Sequence, residues 1–436
     1  MMKMKTKRNM SAIALLTVLL FSAGTAYAQN AGEKNKGGST DYNVMSRLNE
    51  SPKPAGFTPQ LPKDVKESFN ENVITVSARV LNEDSKMLKV GKVQTVGQEG
   101  SGAWQMMCDE GGATYEQTAL NPLSYMLGGI SSSLLTHVEQ FIELMGLDVK
   151  DVKVEARVFF RYDDPLTKKW SGYADSVVAN IIIESDESEA QILELQKMAL
   201  QAWAIGECLE NPTTVNAEFE FNGEIWDTEY GSPGKVVGPD SYDNNLKLTS
   251  KVGKLVPKSL KLGKDVPMHL TNPYKFEVVG IAESANDVER PYLHKIHVRS
   301  LNDNYATWEI YADDSRGYEG VEKAPSSREY FSIGTTLCLM SQFTASEMFY
   351  KIKRLTKIPD YRAEHQFYFQ EDNAMTMDAI GHVDSVTTRI LVNSKTSEKK
   401  MEAFANQSLR MCFAGDAVSK ATPMKTGIYL NGKLVK

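Results

Sequence analysis

The chain is poor in cysteine, with four (Cys108, Cys208, Cys338 and Cys412) among 436 residues. So few thiols in so long a chain exclude a small disulfide scaffold, because a core of this size can hold itself. A phosphate loop, a dinucleotide fingerprint and a nucleophile-elbow motif are all missing, which removes the common nucleotide-binding and hydrolase readings. No metal site and no cofactor is expected. His294 and His297 in "HKIH" stand three apart in a strand-like run and so face opposite sides. Net positive charge is also lacking: the formal charge is -7. An acidic chain is a poor partner for nucleic acid or anionic membrane.

What is present begins with residues 1–28. "MMKMKTKRN" is basic, "AIALLTVLLF" is apolar, and "AYA" offers a small-x-small cleavage signal before Gln29. The apolar run is short for a membrane span. A cleavable signal peptide, cut after Ala28, and a periplasmic or secreted product are therefore expected, with no span left in the mature chain. Losing Lys3, Lys5, Lys7 and Arg8 takes the formal charge from -7 to -11. Residues 29–65, rich in Gly, Pro, Ser, Asn and Lys, read as a flexible segment. A second linker spans 226–270 and carries Lys247, Lys251, Lys254, Lys258, Lys261 and Lys264 with no acidic residue among them. It suits either a solvated connection or a docking site for an acidic partner.

Between and after these linkers the chain repeats. "GYADSVVANIIIESDESE" matches "GHVDSVTTRILVNSKTSE" at eight of eighteen positions, 209 places later. Asp151, Glu155, Phe160, Asp163, Gly172, Asp175, Leu200, Gly206 and Thr213 all recur at that offset. Each copy, 66–225 and 271–436, reads as short alternating strands, a long apolar helix (122–145; 328–355), two strands, a second helix and a last strand. Ser185 with Glu189, and Ser394 with Glu398, have the style of capping residues for the second helices. Two tandem α+β domains are expected, each an antiparallel sheet with two main helices.

The run "DEGGATYEQTALNPLSYMLGGISSSLLTHVEQFIELMGLDVKDVKVE" and, in the second copy, "ANQSLRMCFAGDAV" resemble the OsmC/Ohr family of osmotically inducible and organic hydroperoxide resistance proteins. The family forms interlaced dimers, so the resemblance implies an intramolecular pseudo-dimer with its sites between the halves. It also implies thiol-dependent, peroxiredoxin-like reduction of organic hydroperoxides in oxidative stress. That chemistry needs a low-pKa cysteine, an arginine and carboxylate that activate it, and a resolving cysteine. The attacking position falls at Ser133 and, at the same offset, at Gln342. The resolving position falls at Trp203 and Cys412, and the glutamate is replaced by Leu123 and Ser332. Neither copy then holds a complete set, and the resemblance points to a catalytically degenerate binding or structural module. Ser131, Ser132 and His137 become pocket candidates for a small apolar ligand. Ser133 with His137 as a hydrolytic pair would need an oxyanion hole as well, and a packing histidine is the plainer reading. The alternative is a hydroperoxide reductase using a displaced Cys338/Cys412 pair, with its reductant and its arginine unplaced. A structural disulfide or two buried thiols would fit the same residues. Cys108 and Cys208 fall on no family position.

Overall fold

The computed structural model describes residues 45–47, 71–80, 88–96, 103–110, 119–163, 171–227, 253–256, 275–300, 307–315, 322–350 and 361–435. The expected signal peptide, most of the expected flexible segment 29–65 and nearly all of the lysine-bearing linker lie outside the described residues. Within the flexible segment, Met45–Arg47 instead form a strand paired with Trp104–Met106. The N-terminal half contributes β1 (Met45–Arg47), β2 (Glu71–Val80), β3 (Leu88–Val96), β4 (Ala103–Asp109), α1 (Pro122–Met145), β5 (Val149–Tyr162), β6 (Gly172–Ser185), α2 (Glu189–Ala202), α3 (Ala204–Glu210), β7 (Thr214–Phe221) and β8 (Glu224–Asp227). The C-terminal half gives β9 (Gly253–Val256), β10 (Lys275–Ser284), β11 (Leu293–Ser300), β12 (Thr307–Asp313), α4 (Ser327–Tyr350), β13 (Tyr361–Asp372), β14 (Ile380–Val392), α5 (Glu398–Met411), α6 (Phe413–Ser419), β15 (Met424–Leu430) and β16 (Lys433–Leu434).

The protein is α+β, but its sheets do not follow the halves. One runs β1-β4-β3-β2-β13-β14-β7-β8, the other β16-β15-β6-β5-β10-β11-β12-β9. Each half thus lends strands to both sheets. The seams are antiparallel, β2 on β13 and β10 on β5. The expectation of purely antiparallel sheets needs correcting, because β7 lies parallel to β14 and β15 parallel to β6. No hairpin joins these partners, since they come from different halves, and a tight turn is what forces antiparallel pairing.

Contacts recur reciprocally between the halves. Ala174 N–H donates to Asp416, and Val383 N–H donates to Glu207. Asn222 brackets the backbone of Ser394 from both sides, and Asn431 does the same to Ser185. Asn222–Gly223 and Asn431–Gly432 all have positive φ, as a two-residue hairpin of the Asn-Gly type requires.

Helix α1 packs on β10, β5 and β11, α4 packs on β2, β3 and β13, and the two long helices pack on each other between the sheets. Asn121 caps α1 by accepting Ser124 N–H at 2.9 Å, Pro122 follows it, and Gly146 ends the helix at φ 64°. Helix α4 opens on a capping box: Ser326 N–H donates to Glu329 at 2.9 Å, and Glu329 N–H to Ser326 Oγ at 3.2 Å. It is described from Ser327 to Tyr350, and the expected continuation to Leu355 lies outside the described residues. The second helix of each half breaks in two, at Trp203 and at Cys412. The cap of α2 is Ser188 with Gln191, not Ser185 with Glu189. Ser185 instead donates to the Asp148 carbonyl at 2.6 Å. Ser397, not Ser394, is the N-cap residue of α5.

Candidate functional site

The long helices cross where neither has a side chain. A β-carbon on Gly129 would lie 2.5 Å from Phe331 N and Ser327 O. One on Gly334 would collide in the same way with Met126 N and Pro122 O. The two glycines are 205 positions apart, as are Met126 and Phe331, and Pro122 and Ser327. From β5 to β13 the offset is 209, and before the long helices, from β2 to β10, it is 204: Val158 faces Val278 as Phe367 faces Ile74. Four extra residues therefore enter the second half between α4 and β13.

This shift corrects the expected register of the long helix. The counterpart of Ser133 is Cys338, not Gln342, and the counterpart of Leu123 is Arg328, not Ser332. Cys338 is not displaced. Arg328 is buried and donates to Glu371 at 2.8 Å.

Trp203 and Cys412 stand at equal places, each ending one helix and opening the next. In the N-terminal half Ser133 is buried and the Trp203 indole lies flat against Gly206. Its N–H finds no acceptor among the described residues. In the C-terminal half the same two places bring thiols together. Cys412 lies against Cys338, both are buried, and no disulfide joins them. Burial first, then the neighbouring Cys338 thiol, pushes the Cys412 thiol well above the usual range. Gly415 N–H donates to Cys412 Sγ at 3.2 Å. Burial pushes the Cys108 thiol well up, against the nearby Lys89 ammonium, which lowers it. Cys208 stands apart, its thiol raised to about 12 by burial.

A cleft of about 180 Å³ opens beside Cys412. Leu339, Leu409, Val215 and Tyr173 give it apolar wall, while His365, Thr388, Arg410, Asp416 and Lys420 supply polar groups. Val215 and Tyr173 come from the N-terminal half, so the cleft lies between the halves. Arg410 is a guanidinium beside Cys412 that the sequence reading left unplaced.

None of the three pocket candidates lines this cleft. Ser131 donates to the Leu127 carbonyl at 2.9 Å and packs on Gly280. His137 Nδ1 meets Gln140 Oε1 at 3.1 Å. Ser132 Oγ meets His294 Nδ1 at 2.8 Å, and His294 Nε2 meets Glu139 at 2.9 Å. Burial alone would depress His294, but Glu139, Asp314 and Asp313 together hold it above its ordinary value. The three serines are small because α1 is enclosed on all sides over most of its length, and two of them spend their hydroxyls inside the packing. His297 turns to Glu309 instead, on the other face of β11. The sequence reading missed the Ser132–His294 contact, which pairs residues 162 positions apart, and missed His365 and Arg410 as cleft residues. Only the position of Arg410, two before Cys412, gave a local signal.

Residues 115–218 match a family model described as OsmC-like protein. Among solved structures the chain is similar to an OsmC-like hydroperoxide resistance protein from Jannaschia sp. CCS1. The identity is 17%, over 33% of this chain and 88% of that one, with a TM-score of 0.24. No curated protein matches the chain.

Proposed function

We propose that this chain, OsmC-like over residues 115–218, reduces organic hydroperoxides at one dithiol, Cys338 with Cys412. The Ser133–Trp203 position is its silent twin. One observation carries this reading: two free thiols in contact, at the places that serine and tryptophan fill in the other half, with Cys412 bordering a cleft and Cys338 behind it. Degeneracy is thereby confined to one half, where a hydroxyl cannot cycle through a sulfenic acid.

Cys338, in the register of the attacking position, uses its thiolate on the terminal oxygen of ROOH. The O–O bond breaks, RO⁻ takes a proton and leaves as the alcohol, and Cys338 becomes a sulfenic acid. Cys412 then attacks that sulfur, water leaves, and a disulfide forms. The raised pKa keeps Cys412 protonated at rest, so its proton must be given up, to the departing hydroxide, as the sulfur attacks. Two electrons and two protons from an external dithiol restore the pair. Arg410 is a cation on the wall of the same cleft. Export through residues 1–28 would set this chemistry in an oxidising compartment.

Thiol titration tests the reading. One equivalent of tert-butyl hydroperoxide is expected to consume two thiols in the wild-type chain. In Cys412→Ser one thiol is consumed and a trappable sulfenic acid remains, and in Cys338→Ser consumption is abolished. An unchanged thiol count in the wild-type chain would overturn it.

A further inference from the structure

The cleft beside Cys412 holds one buried side chain whose hydrogen-bonding is half complete. His365 lies on β13, between Val76 of β2 and Thr388 of β14, and is 4% exposed. Its Nδ1 is 2.8 Å from Thr336 Oγ1, and that same oxygen is 2.9 Å from the Ser332 carbonyl. A carbonyl only accepts, so the Thr336 hydrogen goes to Ser332. The threonine oxygen then presents a lone pair to Nδ1, which must carry the ring's hydrogen. A neutral imidazole has only one, so the lone pair resides on Nε2. Burial holds the ring neutral, its pKa pushed down to about 3. The neighbours from β2, β14 and α4 that fix it (Val76, Thr388, Thr336) carry no charge. The charged or titratable groups around the cleft are Cys412, Arg410, Asp416, Lys420 and Tyr173. Lys420 pairs with Asp416, and Arg410 donates to Gln407 at 3.4 Å. Nε2 has no hydrogen-bond partner among the described residues, and the ring lines the cleft.

An otherwise buried ring that turns its one accepting nitrogen to a cleft offers that nitrogen to a donor on whatever fills the cleft. We propose that His365 Nε2 accepts the O–H of the ligand, making the site selective for molecules with a free hydroxyl hydrogen: hydroperoxides and their product alcohols, not dialkyl peroxides or ethers. Resting on the dithiol reading, this gives the substrate class a physical cause. The hydrogen on the terminal oxygen is held at the histidine, in the cleft that Cys412, the thiol against Cys338, borders. The histidine is an orienting acceptor and not a base. An imidazole that resists protonation down to about 3 takes no proton from a thiol whose own pKa is raised.

The test uses the full chain with ¹⁵N-labelled histidine. In the wild type, Nε2 of His365 is expected to carry no one-bond hydrogen and to stay unprotonated from about pH 5 to about pH 8. Titration with tert-butanol shifts that nitrogen; tert-butyl methyl ether does not. His365→Gln is expected to bind the alcohol about threefold to tenfold more weakly, the weight of one neutral hydrogen bond, with ether binding unchanged. A hydrogen on Nε2 in the free protein, or equal shifts with alcohol and ether, would overturn the inference, and neither result depends on how His365→Gln folds. Alcohol binding at His365 without thiol loss to hydroperoxide defeats the dithiol reading alone. Thiol loss with equal rates for tert-butyl hydroperoxide and di-tert-butyl peroxide defeats this inference alone.

Discussion

At the residue scale the enclosed parts of the two long helices differ by what each does with a hydroxyl or thiol. Ser132 shows the cost of a polar side chain there. It sits at zero exposure because His294 answers it and Glu139 answers His294. Because the folded-state pKa of His294 is raised, the charged ring stabilises the fold fully below its unfolded value, near 6.5. That contribution is lost as pH rises through the higher folded value. Ser132→Ala leaves the Nδ1 side unanswered and is expected to cost about 1–3 kcal/mol, with the larger loss in acid. Urea denaturation of both proteins at about pH 5.5 and about pH 8.5 reads this. Equal losses at the two pH values would show that the ring is not charged in the fold.

At the scale of elements, the crossing of α1 and α4 at Gly129 and Gly334 sets the position of everything else in the site. The helices meet backbone to backbone there, and four residues later on α4 the chain presents Cys338 to the break between α5 and α6. Gly129→Ala places a carbon 2.5 Å from the Phe331 nitrogen and the Ser327 oxygen. Backbone cannot swing aside as a side chain does, so the helices must separate. The expected cost is at the upper end of about 1–3 kcal/mol or beyond, with an equal effect for Gly334→Ala. Thermal denaturation checks the stability. The rate of disulfide formation between Cys338 and Cys412 checks the geometry and is expected to fall in both variants. Variants as stable as the parent would show that the helices do not touch at these glycines.

For the whole molecule, the interlaced sheets bind the halves more firmly than the linker does. Each sheet depends on a seam between halves, nine residue pairs long in both β2–β13 and β10–β5. A single cut within residues 228–252 is therefore expected to leave one particle in native buffer, by size-exclusion chromatography, and two fragments in denaturant. Separation of the fragments without denaturant would show that the halves fold apart. No helix among the described residues is long and apolar enough to cross a membrane.

The repeat "GYADSVVANIIIESDESE"/"GHVDSVTTRILVNSKTSE" and the alternating runs were enough to define α+β architecture and to position the start of both long helices to within a residue, because periodicity and capping are local. Gly172 and Gly381 recurred visibly in the sequence, yet only packing explains them: each lies against the helix break of the other half, at Met411–Phe413 and Ala202–Ala204. The pairing of Ser133 with Cys338 was illegible, because four inserted residues fall outside the repeated segment and the similarity of the long helices is too weak to reveal them. Gly129 and Gly334 decide that register by touching. Which hydroxyl meets which histidine, and which ring nitrogen is left with its lone pair, depends on strands from one half lying against helices from the other. Such distances are set by tertiary packing and leave no period in the chain.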